Sequence, residues 1–288
     1  MKTSDLATEE VPTKAKRETA WLLEEKYHGE KTSGFFADCE RLEAGEPLAF
    51  LIGHMPFLDC TIWLDLSLPA GQAGSRPLIP RPETEFWVEK ALKEISTSMS
   101  RLNLDIEVEH SKTLHILDLC AGSGCIGVAV AKAMPEAHVD FAEIDMRHHA
   151  TILKNIQEND IAENRTAIFG GDLFAEIPPG TRYDYILTNP PYIDPALASR
   201  TEKSVTDYEP ALALWGGEKG LELIYKIIEQ APTFIADDGV LYIEHEPEQA
   251  TAIAEYAEKH HFLSTSTKDQ YGVIRTSRLV RTPPSVAQ

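Results

Sequence analysis

Strand-like and helix-like segments alternate along the chain from residue 113 to residue 261. Apolar runs such as "TLHILDLC" (113–120) and "YDYILTNP" (183–190) predict buried strands, and "CIGVAVAKAMP" (125–135) is typical of a helix. Because a helix must carry the chain back between parallel strands, this alternation predicts a doubly wound α/β sheet. The other predicted strands are 138–145, 165–174, 239–246 and two edge strands within 262–281, and the other predicted helices are 84–96, 149–159, 220–235 and 249–261.

The first part of the chain has a different pattern. Residues 14–46 have helical spacing interrupted by Gly34 and Gly45, which predicts two or three short helices. The segment after them predicts a hairpin or linker that ends in a flexible surface loop, "PAGQAGS" (69–75). We therefore expect a small helical domain over 1–47, a hairpin or linker over 48–76 and a catalytic domain over 77–288.

The net charge and the cysteine spacing indicate which kinds of ligand and partner to expect. Acidic residues outnumber basic ones by 46 to 27, a net charge of −19, whereas proteins that bind nucleic acid usually have a basic face. An acidic surface keeps a chain in solution or suits a basic protein partner. No apolar run is long enough for a membrane span, and the cysteines form no zinc pattern. We expect a cytoplasmic monomer without a metal, a membrane contact or a direct nucleic-acid partner. The cysteines are Cys39, Cys60, Cys120 and Cys125.

A glycine-rich turn follows the first strand of the alternation. The segment "ILDLCAGSGCIG" (116–127) places Gly122 and Gly124 between this strand and the next helix, where the backbone can approach a nucleotide closely. Asp145 ends the next strand, where an acid can bind the two hydroxyls of a ribose. Asp118 precedes the glycines, and its carboxylate suits the cationic amino group of S-adenosylmethionine. Alternatively, Asp118 caps the turn and binds no ligand.

Asp172 and Leu173 in "GGDLF" follow the third strand of the alternation. In a doubly wound sheet this position adjoins the adenine of a bound nucleotide. The carboxylate of Asp172 could accept a hydrogen bond from the exocyclic amine, and Leu173 could pack against the ring. Alternatively, Asp172 is an acid on a surface turn.

The motif Asn189-Pro190-Pro191-Tyr192 follows the fourth strand, at the end of the sheet where ligands bind. Asn189 can accept one hydrogen bond from an NH2 group, and the carbonyl of Pro190 can accept another. Pro191 stiffens the loop, and Tyr192 offers an apolar wall for a planar group. Holding both protons of a planar nitrogen turns its lone pair toward a methyl donor. We therefore predict Asn189, Pro190 and Tyr192 as catalytic residues and all four residues as substrate-binding.

Several segments resemble the HemK/PrmC family of peptide chain release factor N5-glutamine methyltransferases. The resemblance covers nearly the whole chain, and the combination of "PRPETE", "NPPY" and "EPALAL" is its most specific part. The segments are "GEPLAFLIG" (45–53), "PLIPRPETE" (77–85), "DLCAGSGCIG" (118–127), "NPPYID" (189–194), "YEPALALWGGEKGLELI" (208–224) and "GVLYIEHEPEQ" (239–249).

This resemblance implies a Rossmann-like class I sheet that uses S-adenosylmethionine, with a helical N-terminal domain that helps to bind the release factor. The glutamine of the factor's GGQ motif would lie on Asn189–Tyr192. Arg81 and Glu83 would line or brace the site, although Glu83 and Glu85 also fit the start of a helix. The implied cofactor positions are Cys120, Ala121, Gly122, Ser123, Gly124, Asp145, Leu173 and Asn189.

Other functions stay open at this point. "DLCAGSGC" also resembles relatives that methylate a glutamine of a ribosomal large-subunit protein. An adenine-N6 DNA methyltransferase shares NPPY, but it needs a duplex-binding surface for a flipped base, which the net charge of −19 disfavours. Asp118 and NPPY have no place in a nicotinamide oxidoreductase. The intact motifs also disfavour an inactive assembly factor.

Overall fold

The computed structural model describes residues 13–69, 74–104 and 113–282. The chain divides into two compact units, Met1–Gly53 and His54–Gln288. The described part of the first unit is helical, and its helices are α1 (Lys14–Tyr27), α2 (Ser33–Glu43) and α3 (Leu48–Ile52). Their apolar faces form a small core of Leu22, Phe35, Leu48 and Leu51. Helix α3 lies in the segment predicted as a hairpin or linker, so the first unit extends beyond the predicted boundary at residue 47.

The boundaries of these helices follow from local chemistry. Thr13 and Thr32 cap α1 and α2 by accepting hydrogen bonds from backbone N–H groups. Gly34, which was predicted to break a helix, instead lies in the first turn of α2. The chain turns before it, because α1 ends at Tyr27 and is followed by His28 with φ of 51° and Gly29 with φ of 83°. The predicted break between two helices is therefore present, but it lies before Gly34 and not at it.

The second unit begins with a hairpin and continues as alternating strands and helices. The hairpin lies within the predicted linker. Helix α4 is longer than the predicted helix 84–96. It begins at Pro82, because proline is favoured at the first position of a helix. The elements are β1 (His54–Phe57), β2 (Cys60–Trp63), α4 (Pro82–Leu104), β3 (His115–Leu119), α5 (Cys125–Ala133), β4 (His138–Ala142), α6 (His148–Glu158), β5 (Thr166–Phe169), β6 (Tyr183–Thr188), α7 (Lys203–Tyr208), α8 (Glu222–Phe234), β7 (Ile235–Glu244), α9 (Ala250–Lys259), β8 (Phe262–Lys268) and β9 (Ile274–Arg281).

Seven strands form one sheet in the order β5-β4-β3-β6-β7-β9-β8. The first five are parallel, and β9 runs antiparallel between β7 and β8. Of the two final strands only β8 lies at an edge, and the prediction that both are edge strands was wrong for β9. Strands β3, β4 and β5 follow one another outward in one direction, and β6 and β7 do so in the other. The carboxyl ends of β3 and β6 thus form the crevice where doubly wound sheets bind ligands.

Each face of this sheet packs on its own core. One cluster joins Ile116 and Leu187 to residues of α4 and α5, and the other joins Leu117 to Ile227 of α8 and Ile253 of α9. Neighbouring residues of a strand point to opposite faces, so Ile116 and Leu117 serve different clusters. The predicted α/β fold is confirmed.

The predicted surface loop 69–75 is described only in part, since residues 70–73 lie outside the described ranges. Ser75 is fully buried, and its N–H donates to the carbonyl of Pro69 at 2.9 Å. The end of this segment is therefore not a surface loop. Within the described parts of the chain, none of the helices has the length and apolar character needed to cross a bilayer.

Candidate active site

A cavity of about 290 Å³ lies at the carboxyl ends of β3, β4 and β6. Nine of the predicted site residues line it, and the others do not. The predicted residues that line it are Cys120, Ala121, Gly122, Ser123, Asp145, Asp172, Leu173, Asn189 and Pro191. The predicted residues outside its lining are Arg81, Glu83, Asp118, Gly124, Pro190 and Tyr192.

The glycine turn between β3 and α5 forms one wall of the cavity. Gly124 precedes α5 with φ of 79°, a conformation that glycine adopts without strain. At Gly122 an added Cβ would meet nothing within 4 Å, so the backbone there faces open space. The turn is held from behind, because the Ala121 N–H donates to the carbonyl of Ala142 at 3.1 Å. This leaves the backbone exposed to a ligand, as the motif predicts.

Asp118 lies beneath this turn, away from the cavity. Its Oδ2 accepts from the Gly127 N–H at 2.8 Å, which is the turn-capping alternative. Its Oδ1 has no hydrogen-bond partner among the residues that the structure describes. Burial raises the pKa of this carboxyl well above its usual value. The geometry gives Asp118 a structural contact and no direct contact with the cavity.

Two acids that line the cavity follow the end of β4. Asp145 lines the cavity, but its two oxygens accept from the Arg147 side chain at 2.7 and 2.6 Å. The hydrogen bond from Arg147 is the main reason that the pKa of Asp145 is lowered. Glu143 is the first residue after β4 and also lines the cavity. Its oxygens accept from the N–H groups of Gly122 at 2.7 Å and Asp145 at 2.8 Å.

Glu143 was missed in the sequence, and a signal for it was present. It directly follows the last strand residue in "HVDFAEID", whereas Asp145 comes two residues later. A carboxylate bonded to the N–H of Gly122 is fixed against the glycine turn, while Asp145 is engaged by Arg147. Each carboxylate oxygen of Glu143 has a second lone pair that can accept a hydrogen bond from a hydroxyl group.

The NPPY loop forms the opposite wall. The Asn189 Nδ2 donates to the Thr84 hydroxyl at 3.0 Å, so its Oδ1 is free of that contact. Among the residues that the structure describes, no backbone N–H bonds to the carbonyl of Pro190. The Tyr192 hydroxyl donates to Glu244 at 3.0 Å, and its ring packs against the core cluster of α8 and α9. Tyr192 is thus held by the protein rather than lining the cavity.

Glu244, the last residue of β7, collects three hydrogen bonds in a buried position. The Thr84 hydroxyl donates to its Oε2 at 2.6 Å, the Trp87 indole N–H to the same oxygen at 2.7 Å, and Tyr192 to Oε1. Burial raises the pKa of Glu244, while the three donors act in the opposite direction. Thr84 lies in the segment "PLIPRPETE" and Glu244 in "GVLYIEHEPEQ", and neither was predicted as a site residue.

Arg81 braces the site from outside the cavity. Its guanidinium bonds to Glu209 at 2.5 Å, and Glu209 also accepts from the Ile79 N–H at 3.2 Å. This contact joins "PRPETE" to "EPALAL", two of the segments that carry the resemblance. Glu83 and Glu85 lie in the first turn of α4, and Glu85 accepts from the Leu58 N–H at 2.7 Å. The geometry therefore favours a bracing function for Arg81 and the helix-start alternative for Glu83.

The groups around the cavity fit a methyl donor that carries a nucleoside. Glu143 offers carboxylate oxygens for ribose hydroxyls, and the half-exposed Ile144 and the buried Leu173 offer apolar surface for a base. The open backbone at Gly122 permits close approach. Among the described residues, no group of three or more His, Cys, Asp or Glu side chains could hold a metal ion.

Comparisons with known proteins agree with this geometry. The family model "Methyltransferase small domain" matches residues 99–206. A release factor glutamine methyltransferase of Thermodesulfovibrio yellowstonii is 35% identical over 223 residues, 76% of this chain and 70% of that protein. The protein of the same name in Streptococcus pneumoniae is 31% identical over 255 residues, 88% of this chain and 81% of that protein. The chain belongs to the release factor glutamine methyltransferase family.

Proposed function

We propose that this protein transfers a methyl group from S-adenosylmethionine to the side-chain amide nitrogen (N5) of the glutamine in the GGQ motif of a peptide chain release factor. The observation that carries this proposal is the fixed amide of Asn189 in the cavity that the glycine turn also lines. The names of the relatives at 31–35% identity support the same acceptor.

The donor is proposed to lie against the glycine turn. Glu143 accepts from the ribose hydroxyls, Leu173 and Ile144 enclose the adenine, and Asp172 lies beside them at the rim. When bound, S-adenosylmethionine supplies an electrophilic methyl group on a sulfonium. The assignment of the ribose to Glu143 replaces the predicted assignment to Asp145, because Arg147 bonds to both oxygens of Asp145.

The acceptor amide is proposed to lie against the NPPY loop. Asn189 Oδ1 and the Pro190 carbonyl oxygen accept from its two N–H groups, so the nitrogen lone pair turns toward the donor. An amide nitrogen is a poor nucleophile because its lone pair is delocalised, so orientation is the main contribution of the protein. Such positioning supplies on the order of 7–11 kcal/mol in favourable cases. Pro191 and Tyr192 keep the loop in this conformation.

The proposal extends to the partner and its setting. The helical unit Met1–Gly53 is proposed to contact the release factor. We propose a cytoplasmic monomer that has no direct nucleic-acid partner, in agreement with the net charge of −19.

Mass spectrometry tests the acceptor. The protein is incubated with S-adenosylmethionine and a release factor, with ribosomal proteins and duplex DNA in parallel reactions. We expect one added methyl group on the GGQ glutamine and none in a factor whose GGQ glutamine is replaced by alanine. Methyl transfer only to a ribosomal protein would change the partner and keep the chemistry, and transfer only to DNA would overturn the proposal.

A further inference from the structure

The side chain of Asn189 can face the cavity in two ways. A carboxamide presents either its oxygen, an acceptor, or its NH2 group, a donor, and only the oxygen can accept from a substrate amide. The two orientations have nearly the same shape, so packing alone does not choose between them. The choice depends on which group of the protein bonds to the other end of the amide.

That group is the hydroxyl of Thr84, whose own direction is fixed by Glu244. Glu244 Oε2 accepts from the Trp87 indole N–H, which can only donate, and the single proton of Thr84 points to the same oxygen at 2.6 Å. The hydroxyl oxygen then offers a lone pair to Asn189 at 3.0 Å, and only the NH2 end can donate to it. Oδ1 is thereby directed away from Thr84, on a residue that lines the cavity.

We infer that Thr84 and Glu244 are positioning residues that set the amide of Asn189 with its oxygen toward the acceptor nitrogen. The effect of this orientation on catalysis rests on the proposed function, whereas the orientation itself does not. The set of contacts spans the start of α4, the end of β7 and the loop after β6.

Glu244 is well placed to impose this direction. It is 1% exposed, and its oxygens also accept from the Trp87 indole and the Tyr192 hydroxyl. The positive charge of Arg275 also lowers the pKa of Glu244, against the effect of burial. One buried carboxylate therefore fixes the first residue of NPPY through Thr84 and the last residue directly.

Thr84→Val tests the inference, because valine keeps the shape of threonine and removes the hydroxyl. We expect kcat for release factor methylation to fall about tenfold, the effect of losing one well-aimed hydrogen bond. KM and the affinity for S-adenosylhomocysteine should stay the same, since the altered interaction acts on the reacting nitrogen. Thr84→Ser should restore most of the turnover. Thr97→Val is the matched control, because the exposed hydroxyl of Thr97 on the same helix donates to the backbone carbonyl of Lys93 at 2.7 Å and lies outside the cavity lining.

A double-mutant cycle separates positioning from a general structural effect. If Thr84 acts through Asn189, Thr84→Val should change the residual turnover of Asn189→Ala by less than roughly twofold. A further loss of about tenfold in the double variant would mean that the two residues act independently, and would overturn the inference.

The orientation can also be measured without any substrate. In protein labelled with 15N-asparagine, the side-chain signal of Asn189 is identified by its absence in Asn189→Ala. We expect contacts between the Nδ2 protons and the methyl group of Thr84, and a shift of this signal in Thr84→Val. If the unmodified protein methylates no release factor, the proposed function fails and this spectrum still decides the orientation. An Asn189 signal that is unchanged in both Thr84→Val and Glu244→Gln would contradict the inference.

Discussion

The two walls of the cavity are built in different ways. The donor wall, named for the proposed position of S-adenosylmethionine, is the glycine turn with Glu143, and its hydrogen bonds join residues 32 or fewer positions apart in sequence. The acceptor wall is the NPPY loop with Thr84 and Glu244, and its hydrogen bonds join residues 52 to 160 positions apart. The donor wall is thus a local structure, whereas the acceptor wall forms only when distant segments meet.

This difference has a physical consequence. Backbone groups make most of the donor wall, so the substitution of one side chain there removes only one of several contacts. The acceptor wall depends on single side chains that hold one another in place. Gly220 packs closely against the NPPY loop, because an added Cβ there would overlap the carbonyl oxygen of Tyr192. We therefore expect substitutions in the acceptor wall to reduce turnover most strongly.

The largest effect is expected for Asn189→Ala. Removing an acceptor aimed at the reacting nitrogen should lower kcat by roughly 10²-fold or more, by analogy with the loss of one precisely aimed hydrogen-bonding group. The affinity for S-adenosylhomocysteine, measured by calorimetry, should change much less. Near-normal turnover in this variant would remove Asn189 from catalysis, and an equal loss of affinity would mean that the two walls are not separate.

The second prediction concerns stability and the contact that supports the acceptor wall. Glu209 is 1% exposed, and Arg81→Met would leave its charge without the guanidinium partner. Breaking a fully buried pair costs about 3–5 kcal/mol, and because Arg81 is 29% exposed we expect about 2 kcal/mol in the free energy of unfolding. Denaturant titration measures this quantity. Arg200→Met is the control, since its pair with Glu248 is exposed on both sides and should contribute little.

The same variant should respond to pH. Burial raises the pKa of Glu209, and Arg81 opposes this rise. Without Arg81 the pKa of folded Glu209 rises further above its value in the unfolded chain, so the folded variant takes up a proton more readily. The destabilisation measured at pH 7 should therefore shrink as pH falls toward about 4.3, the unfolded value. A difference between variant and parent that grows on acidification would show that Glu209 is not the group left unpaired.

The sequence predicts the donor wall better than the acceptor wall for the same reason that the two are built differently. The glycine turn and the strand before it are adjacent in sequence, so their pattern shows both the fold and the ligand-binding edge. The motif also identified Asn189 from a short segment. The Arg81–Glu209 contact joins residues 128 positions apart, and no local pattern shows that these two segments meet.

Even within the donor wall, Glu143 was not predicted from the sequence. Two acids follow β4 within three residues. The strand was predicted to extend to Asp145, whereas β4 ends at Ala142, so the spacing pointed to Asp145 and not to Glu143. The structure distinguishes them through their partners, because Arg147 bonds to Asp145 and the backbone of the glycine turn bonds to Glu143. The side-chain direction of Arg147 depends on the turn before α6, which a sequence pattern does not specify.

The smallest expected effect compares these two acids directly. Glu143→Gln keeps the shape and one acceptor oxygen but removes the charge, so hydrogen bonds from ribose hydroxyls lose their charge-assisted strength. We expect the affinity for S-adenosylhomocysteine to fall about tenfold. Calorimetry on Asp145→Asn is the matched comparison and should show a smaller loss, because Arg147 already bonds to both oxygens of Asp145.

The outcome also tests the difference between the walls. If Glu143 serves the donor alone, turnover at saturating donor should stay close to that of the parent protein in Glu143→Gln. The reason is that the hydrogen bonds of the Glu143 side chain within the described chain go to the backbone of Gly122 and Asp145 and not to the acceptor wall. If Asp145→Asn loses more affinity than Glu143→Gln, the ribose belongs to Asp145 and Arg147 must release it when the donor binds. A large fall in kcat for Glu143→Gln would instead show that the donor wall contributes to the orientation of the acceptor nitrogen.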